Sequence, residues 1–242
     1  SFDFIAQAMS GFMSLTGEID GEPMRAAPPM ADLIAGLYCA FGIVSAIVAR
    51  KRTGEGQYVE ASLNNSLISL MAFLSAEYFA TGKPPERSGN NHAIVAPYGM
   101  FKAKDGAIAV APSNETYAKR FLDAVGLTDL MEEDRFRTNA DRMRNRQELL
   151  AIIDVATEER TVDHWIETIN AAGCPCGRVM TLDEVFADPQ VRATDMVLDV
   201  DHGDHGTIRM TGFPVKMSKT PTRIHRPAPD LGQHNKEILS ED

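Results

Sequence analysis

The chain is poor in cysteine, with three in 242 residues: Cys39, Cys174 and Cys176. That excludes a disulfide-stapled secreted scaffold. Cys174-Pro175-Cys176 is too closely spaced for an ordinary disulfide or for C-x-x-C zinc ligation, and Cys39 lies in an apolar run where it reads as a small hydrophobe. A cytoplasmic, reducing location is the expectation. Positive charge is short as well. Lys and Arg number 24 against 34 Asp and Glu, for a formal net charge of −10. This excludes the basic footprint of a nucleic-acid surface, though it leaves room for a local pocket that holds a phosphate-bearing molecule. No glycine-rich loop of Walker or Rossmann spacing is present. Neither Ser45 nor Ser66 sits in a G-x-S-x-G context, so a serine hydrolase has no support.

One uncharged run approaches the length of a membrane span, Leu33 to Ala49, and Gly36, Tyr38, Gly42 and Ser45 dilute it. With no second run of that kind, a buried core helix is expected there and no membrane partner. A signal peptide and a leading methionine are missing too. The chain passes from Ser1 straight into Phe2-Asp3-Phe4-Ile5, and is read as one whose N-terminal part is absent. Internal repeats and low-complexity tracts are not found.

What remains is an ordinary soluble globular composition, 44% apolar and 24% charged, with one residue that stands out. Asp32 is the lone carboxylate in the most apolar stretch of the chain, between Pro28-Pro29-Met30-Ala31 and the uncharged run that ends at Arg50. A carboxylate in such surroundings costs roughly several kcal/mol unless something holds it. Two readings meet the cost. Pro28 and Pro29 mark a helix start, and an aspartate in a first turn favours the positive end of the macrodipole. Alternatively, a carboxylate nucleophile works best in a dry, preorganised site.

Along the chain, residues 1–88 alternate helix and strand signals. Phe4–Met13 carries apolar residues at helical spacing, and a Gly- and Pro-bearing loop follows. The apolar helix ends at Arg50-Lys51-Arg52-Thr53-Gly54, basic residues and then glycine, which is a stop signal. Gln57–Ala61 reads as a short strand and Leu67–Tyr78 as a helix, suggesting an α/β layer. Thr81–Ser88 is a linker. Beyond it, residues 98–101 and 107–111 flank Lys104-Asp105-Gly106, a hairpin signal, and helical patterns cover Glu115–Ala124, Arg146–Thr157 and Val162–Ala172. Residues 89–175 therefore read as a small α+β domain. Residues 176–242 read as a linker and tail, with a second hairpin over Val197–Asp201 and Thr207–Met210 and an extended proline-rich stretch, Pro214–Pro229.

Other candidate chemistry is thin. Asp201-His202-Gly203-Asp204-His205 carries metal-ligand types but lies on a predicted hairpin tip, where a solvated turn is expected and no metal. His164 beside Trp165 has apolar neighbours at helical spacing and reads as structural. Gly89-Asn90-Asn91-His92 reads as a turn, or as a mobile loop over a site, since Gly and Asn tolerate unusual backbone angles.

Six ordered segments resemble the class III CoA-transferases, the group of formyl-CoA and carnitine CoA-transferases. They are Phe4–Gly17 (a QA-SG-MS-TG segment), Asp32 with its Gly-bearing helix, Arg52-Thr53-Gly54-Glu55-Gly56-Gln57, Ala96-Pro97-Tyr98-Gly99 with Asp105-Gly106, Gly173–Val179, and Ala228–His234. The resemblance implies an α/β fold: a Rossmann-like large domain, incomplete at its N-terminus, containing residues 1–88, with a smaller α+β domain, in an interlocked homodimer whose tail wraps the partner. It implies Asp32 as the nucleophile and Gly89, Asn90, Asn91 and His92 as a lid or substrate loop. No metal or permanently bound cofactor is implied. Coenzyme A and acyl-CoA are substrates, and small carboxylic acids are the acceptors.

Two departures refine this. Where formyl-CoA transferase has a run of glycines, this chain reads Gly89-Asn90-Asn91-His92-Ala93-Ile94-Val95-Ala96, closer to relatives that use succinyl-CoA or another dicarboxyl-CoA. Where the racemase branch has Gly-His-Asp, this chain reads Ser1-Phe2-Asp3, and phenylalanine cannot serve as the proton-transfer base. Transfer is therefore favoured over the acyl-CoA racemase or epimerase alternative. A further alternative is a non-catalytic fragment or binding protein.

Overall fold

A computed structural model describes residues 2–239, so Ser1 of the Ser1-Phe2-Asp3 comparison lies outside the described residues. Contacts group the residues up to Arg178 in one unit and those from Val179 in a second.

The first unit begins with helices. The single helix expected over Phe4–Met13 is two, α1 (Asp3–Met9) and α2 (Phe12–Leu15), broken where Gly11 adopts a left-handed conformation. The apolar run forms α3 (Met30–Thr53), which ends as its stop signal predicts: Gly54 is left-handed at φ 80° and its N–H donates to the Arg50 carbonyl at 2.8 Å. The strand expected at Gln57–Ala61 is not formed. The segment is irregular and has no paired strand, because no other chain segment offers it an edge among the described residues. The next helix starts earlier than expected, with Ser62 capping α4 (Leu63–Leu70), and restarts as α5 (Ala72–Thr81) after a kink at Ala72, φ 42°. The hydroxyls of Ser66 and Ser69 donate back to the carbonyls of Ser62 and Ser66, a pattern that bends helices.

These helices meet where two alanines let them approach. Ala6 of α1, Ala31 of α3 and Leu67 of α4 form a buried cluster, joined by Phe12, Met30, Leu63 and Leu70. The expectation that α3 is a buried core helix is corrected. Ala31 and Ala35 are its only buried residues, while Leu33, Leu37, Phe41, Val44 and Val48 form an exposed apolar stripe at helical spacing. Beyond those two alanines α3 makes only partial contacts, with Tyr38 accepting from Ser69 Oγ at 2.9 Å and Gly42 lying against Val59, and no described element covers the exposed stripe. By length and composition alone α3 is apolar enough to cross a membrane, with a mean hydropathy of 2.0.

The rest of the first unit is built on an antiparallel sheet. The predicted hairpin forms as β1 (Gly99–Ala103) and β2 (Gly106–Val110), with Phe101 opposite Ile108, and β3 (Cys176–Arg178) joins the other edge of β2. Helices α6 (Glu115–Ala124), α7 (Asn139–Arg144), α8 (Arg146–Thr157) and α9 (Val162–Ala171) enclose one core that includes Phe101, Ile108, Phe121, Phe136, Leu149 and Trp165. The Asp105 carboxylate in the hairpin turn accepts from Val162 N at 2.7 Å and so ties the turn to the start of α9.

The second unit carries α10 (Leu182–Ala187), α11 (Pro189–Ala193), the hairpin β4 (Val197–Asp201) and β5 (Thr207–Thr211), and α12 (Asn235–Leu239). Pro214–Pro229 has no regular element, as its prolines predict. The fold is thus α and β in coarse terms. Both sheets are antiparallel, however, and residues 3–81 contribute helices only, so the helix–strand alternation read over residues 1–88 is absent from the described residues.

Candidate active site

Asp32 is the third residue of α3, inside the first turn, as the paired prolines predict. Its carboxylate has no hydrogen-bond or ion-pair partner among the described residues, and it is exposed. The dry flank expected from its apolar neighbours is not supplied by this chain, because Leu33 and Leu37 point outward beside it, 55% and 66% exposed. The start of α3 is unusual. Its N-cap is Pro29, which has no side chain able to accept from the first amides and no N–H of its own. The acceptor comes from α1 instead. Asp3 Oδ1 accepts from Ala31 N at 2.8 Å, and Asp3 Oδ2 accepts from Gln7 Nε2 at 2.7 Å. Gln7, fully buried, also accepts from Ala26 N at 2.9 Å through Oε1. The reading of the sequence passed over both residues as functional groups. Their signal was two polar side chains four apart on one face of an otherwise apolar helix.

The loop Gly89–His92 is a turn closed by Asn91 N donating to Ser88 O at 3.0 Å. Its two ends are anchored. On the entry side, the Arg87 guanidinium donates to the carbonyls of Glu18, Ser14 and Gly21. On the exit side, the His92 ring stacks on Phe73 with centroids 5.7 Å apart and leans on Tyr98 at 5.0 Å. His92 Nδ1 accepts from Ile94 N at 3.3 Å, and the His92 carbonyl accepts from Arg146 Nη2 at 3.1 Å. Gly99 lies directly beneath the loop, where a Cβ would meet Asn91 Oδ1 at 2.6 Å and the Asn90 carbonyl at 3.1 Å. Gly89 and Asn90 are thus the exposed tip, and His92 is a pin. No hydrogen bond or ring contact links Asp32 to Gly89, Asn90, Asn91 or His92 among the described residues.

An open cleft beside the loop is lined by Asn90, Tyr98, Met100, Val110, Asn170 and Cys176. Asn170 stitches its floor, accepting from Cys176 N at 3.1 Å and donating to Cys176 O at 2.9 Å. Burial pushes the Cys174 thiol up from 9.0 to about 11 against the opposing charge of Arg120, and pushes Cys176 up to about 11 with Cys174 adding to the rise. Neither is poised as a thiolate. The Asp201–His205 sequence is a hairpin tip, as predicted. Asp201 accepts from Gly203 N, and His205 contacts Asp230 at 3.0 Å. No cluster of three metal-ligating side chains occurs among the described residues. His164 meets the Trp165 ring edge-on, while Trp165 Nε1 donates to the Thr157 carbonyl at 2.6 Å in the core.

A family model for CoA-transferase family III matches residues 1–235. The succinate–glutarate CoA-transferase of Agrobacterium fabrum is 34% identical over 99% of this chain and 60% of its own length. The succinyl-CoA:glutarate CoA-transferase of Homo sapiens is 33% identical over 99% of this chain and 55% of its own length. Among solved structures, a CAIB/BAIF family protein from Brucella suis superposes with a TM-score of 0.82 at 33% identity, over 99% of this chain and 62% of that one. The chain therefore spans less than two thirds of these relatives.

Proposed function

Because the chain belongs to CoA-transferase family III, we propose that the protein moves CoA from an acyl-CoA donor, a dicarboxyl-CoA such as succinyl-CoA, to a carboxylic acid, with Asp32 as nucleophile. The observation that carries this reading is the uncommitted carboxylate of Asp32 at the start of a helix where the amide of the residue before it, Ala31, is already served by Asp3. The named relatives transfer CoA between dicarboxylic acids, which supports the donor class.

An Asp32 oxygen attacks the thioester carbonyl, and the C–S bond breaks to give a mixed anhydride and CoA thiolate. The thiolate attacks the Asp32 carbonyl and expels the donor carboxylate, leaving an aspartyl-CoA thioester. The acceptor carboxylate attacks that thioester and releases thiolate again, forming a second anhydride. The thiolate attacks the acceptor acyl carbon and frees Asp32. No proton need be transferred, so no general base is required, and splitting one transfer into covalent steps is the gain from a nucleophile. Water must be kept from the anhydrides. Since Asp32 is exposed here, the reading includes a cover supplied by assembly, in an interlocked homodimer. It also includes a large-domain role for residues 1–88, a small domain at 89–175, a tail at 176–242 and a cytoplasmic location.

The test is Asp32→Asn. An amide cannot form the anhydride, so turnover should fall by at least about a thousandfold, in line with loss of a nucleophile. Hydroxylamine added with acyl-CoA to the unaltered protein should leave a hydroxamate on Asp32, read by peptide mass spectrometry. Near-normal turnover of Asp32→Asn would remove the nucleophile assignment.

A further inference from the structure

Asp32 occupies the third helical position of α3. A carboxylate there ordinarily turns back to accept from the N-cap N–H. Two features of this chain prevent that. The N-cap is Pro29, which has no N–H to donate. The next two amides are taken as well, Met30 N by the Pro28 carbonyl at 2.8 Å and Ala31 N by Asp3 Oδ1 at 2.8 Å, the latter contact made across 28 residues. Asp3 is itself fixed by Gln7 Nε2 at 2.7 Å, and Gln7, with no exposed surface, is locked to Ala26 just ahead of the proline pair. The network therefore runs from α1 through Ala26 to the residue directly before Asp32, and every polar atom of the Gln7 side chain is used. Ala6 and Ala31 pack in the same buried cluster, which brings the two helices close enough for so short a bond.

We infer that Asp3, held by Gln7, is a positioning residue for Asp32: it stands in as the cap of α3, fixes the peptide that precedes Asp32, and leaves the Asp32 carboxylate free for an acyl carbon. This rests on the reading of Asp32 as the nucleophile. If Asp3 loses its acceptor, Ala31 N becomes an orphan donor at the positive end of α3, and Asp32 is the nearest carboxylate on the same turn able to satisfy it. A carboxylate so engaged is both displaced and less nucleophilic.

The experiment compares Asp3→Ala, Asp3→Asn and Gln7→Glu in the complete gene product. The first removes the acceptor. The second keeps an acceptor oxygen. The third sets a second carboxylate against Asp3 at nearly unchanged volume, and serves if Asp3→Ala does not fold. Asp3→Ala and Gln7→Glu should lower kcat on the order of tenfold or more with KM within about threefold, the mark of a misplaced reacting group rather than lost binding. Asp3→Asn, which keeps an acceptor for Ala31 N but sets its NH2 against Gln7 Nε2, should give a kcat between that of Asp3→Ala and that of the unaltered protein. Rates are taken per active site, counted by hydroxylamine trapping, so that a fall in folded fraction alone does not move them. Hydrogen exchange at the Ala31 amide should quicken in Asp3→Ala and stay slow in Asp3→Asn. Normal kcat per site in both Asp3→Ala and Gln7→Glu, or unaltered Ala31 exchange in Asp3→Ala, overturns the inference. Failure of the nucleophile reading shows elsewhere, as retained turnover in Asp32→Asn, so the two failures are told apart.

Discussion

Arg142 shows how a single residue holds the core around the first sheet. Its guanidinium is 1% exposed and donates to the carbonyls of Ala96 at 2.6 Å and Phe136 at 3.0 Å and to Glu115 at 2.7 Å. Breaking such a cluster from the cationic side leaves buried carbonyls without donors. Arg142→Leu should therefore destabilise the protein by about 3–5 kcal/mol in chemical denaturation. Glu115→Gln should cost about 1 kcal/mol or less, because that carboxylate is 57% exposed. Equal effects of the two would mean that the ion pair, not the carbonyl ligands, is what Arg142 contributes. The thiols of Cys174 and Cys176 carry a pH dependence. Both are raised from 9.0 to about 11, mainly by burial. A raised pKa favours the protonated thiol in the fold, so this contribution is intact below about pH 9 and is lost as pH rises towards 11. Stability measured from pH 8 to 10.5 should fall, and Cys174→Ala should flatten the slope even if it lowers the starting value. An unchanged slope would show that other groups set the alkaline limit.

At the scale of an element, the loop Gly89–His92 is the clearest case. Its entry and exit are pinned by Arg87 and by the His92–Phe73 stack, while Gly89 and Asn90 are exposed. If the tip covers an acyl intermediate, Asn90→Pro or Asn91→Pro should raise hydrolysis of acyl-CoA relative to transfer by about threefold or more, because a badly fitting lid admits water. Asn91→Pro additionally removes the bond from Asn91 N to Ser88 O. An unchanged ratio in both variants would reduce the loop to a plain turn.

For the whole molecule, the dominant feature is apolar surface on α3 and α1. Leu37, Phe41, Val44 and Val48 are 66%, 74%, 60% and 48% exposed, and Met9 of α1 is 76% exposed. Soluble monomers rarely show contiguous apolar patches beyond about a few hundred Å². The protein should therefore self-associate in solution, and Phe41→Glu with Leu37→Glu should shift it towards monomer in sedimentation velocity. A monodisperse monomer before the substitutions would show that the stripe needs no cover.

The sequence by itself determined what short-range physics controls. Both hairpins, the ends of α6 and α8, and the stop of α3 at Gly54 lie within a residue or two of where turn residues and helical spacing put them. Asp32 at the start of an apolar helix was legible from Pro28, Pro29 and the uncharged run. The family was legible because six ordered motifs span the chain, and the match over residues 1–235 agrees. Only the tertiary structure decided the rest. A strand exists only with a partner, and Gln57–Ala61 has none among the described residues. Whether an apolar helix is buried depends on what lies beside it, and the neighbours of α3 bury only Ala31 and Ala35. The hydrogen bond from Ala31 to Asp3 spans 28 residues. It forms because Ala6 and Ala31 are small enough to let two helices approach, and no local pattern encodes that approach.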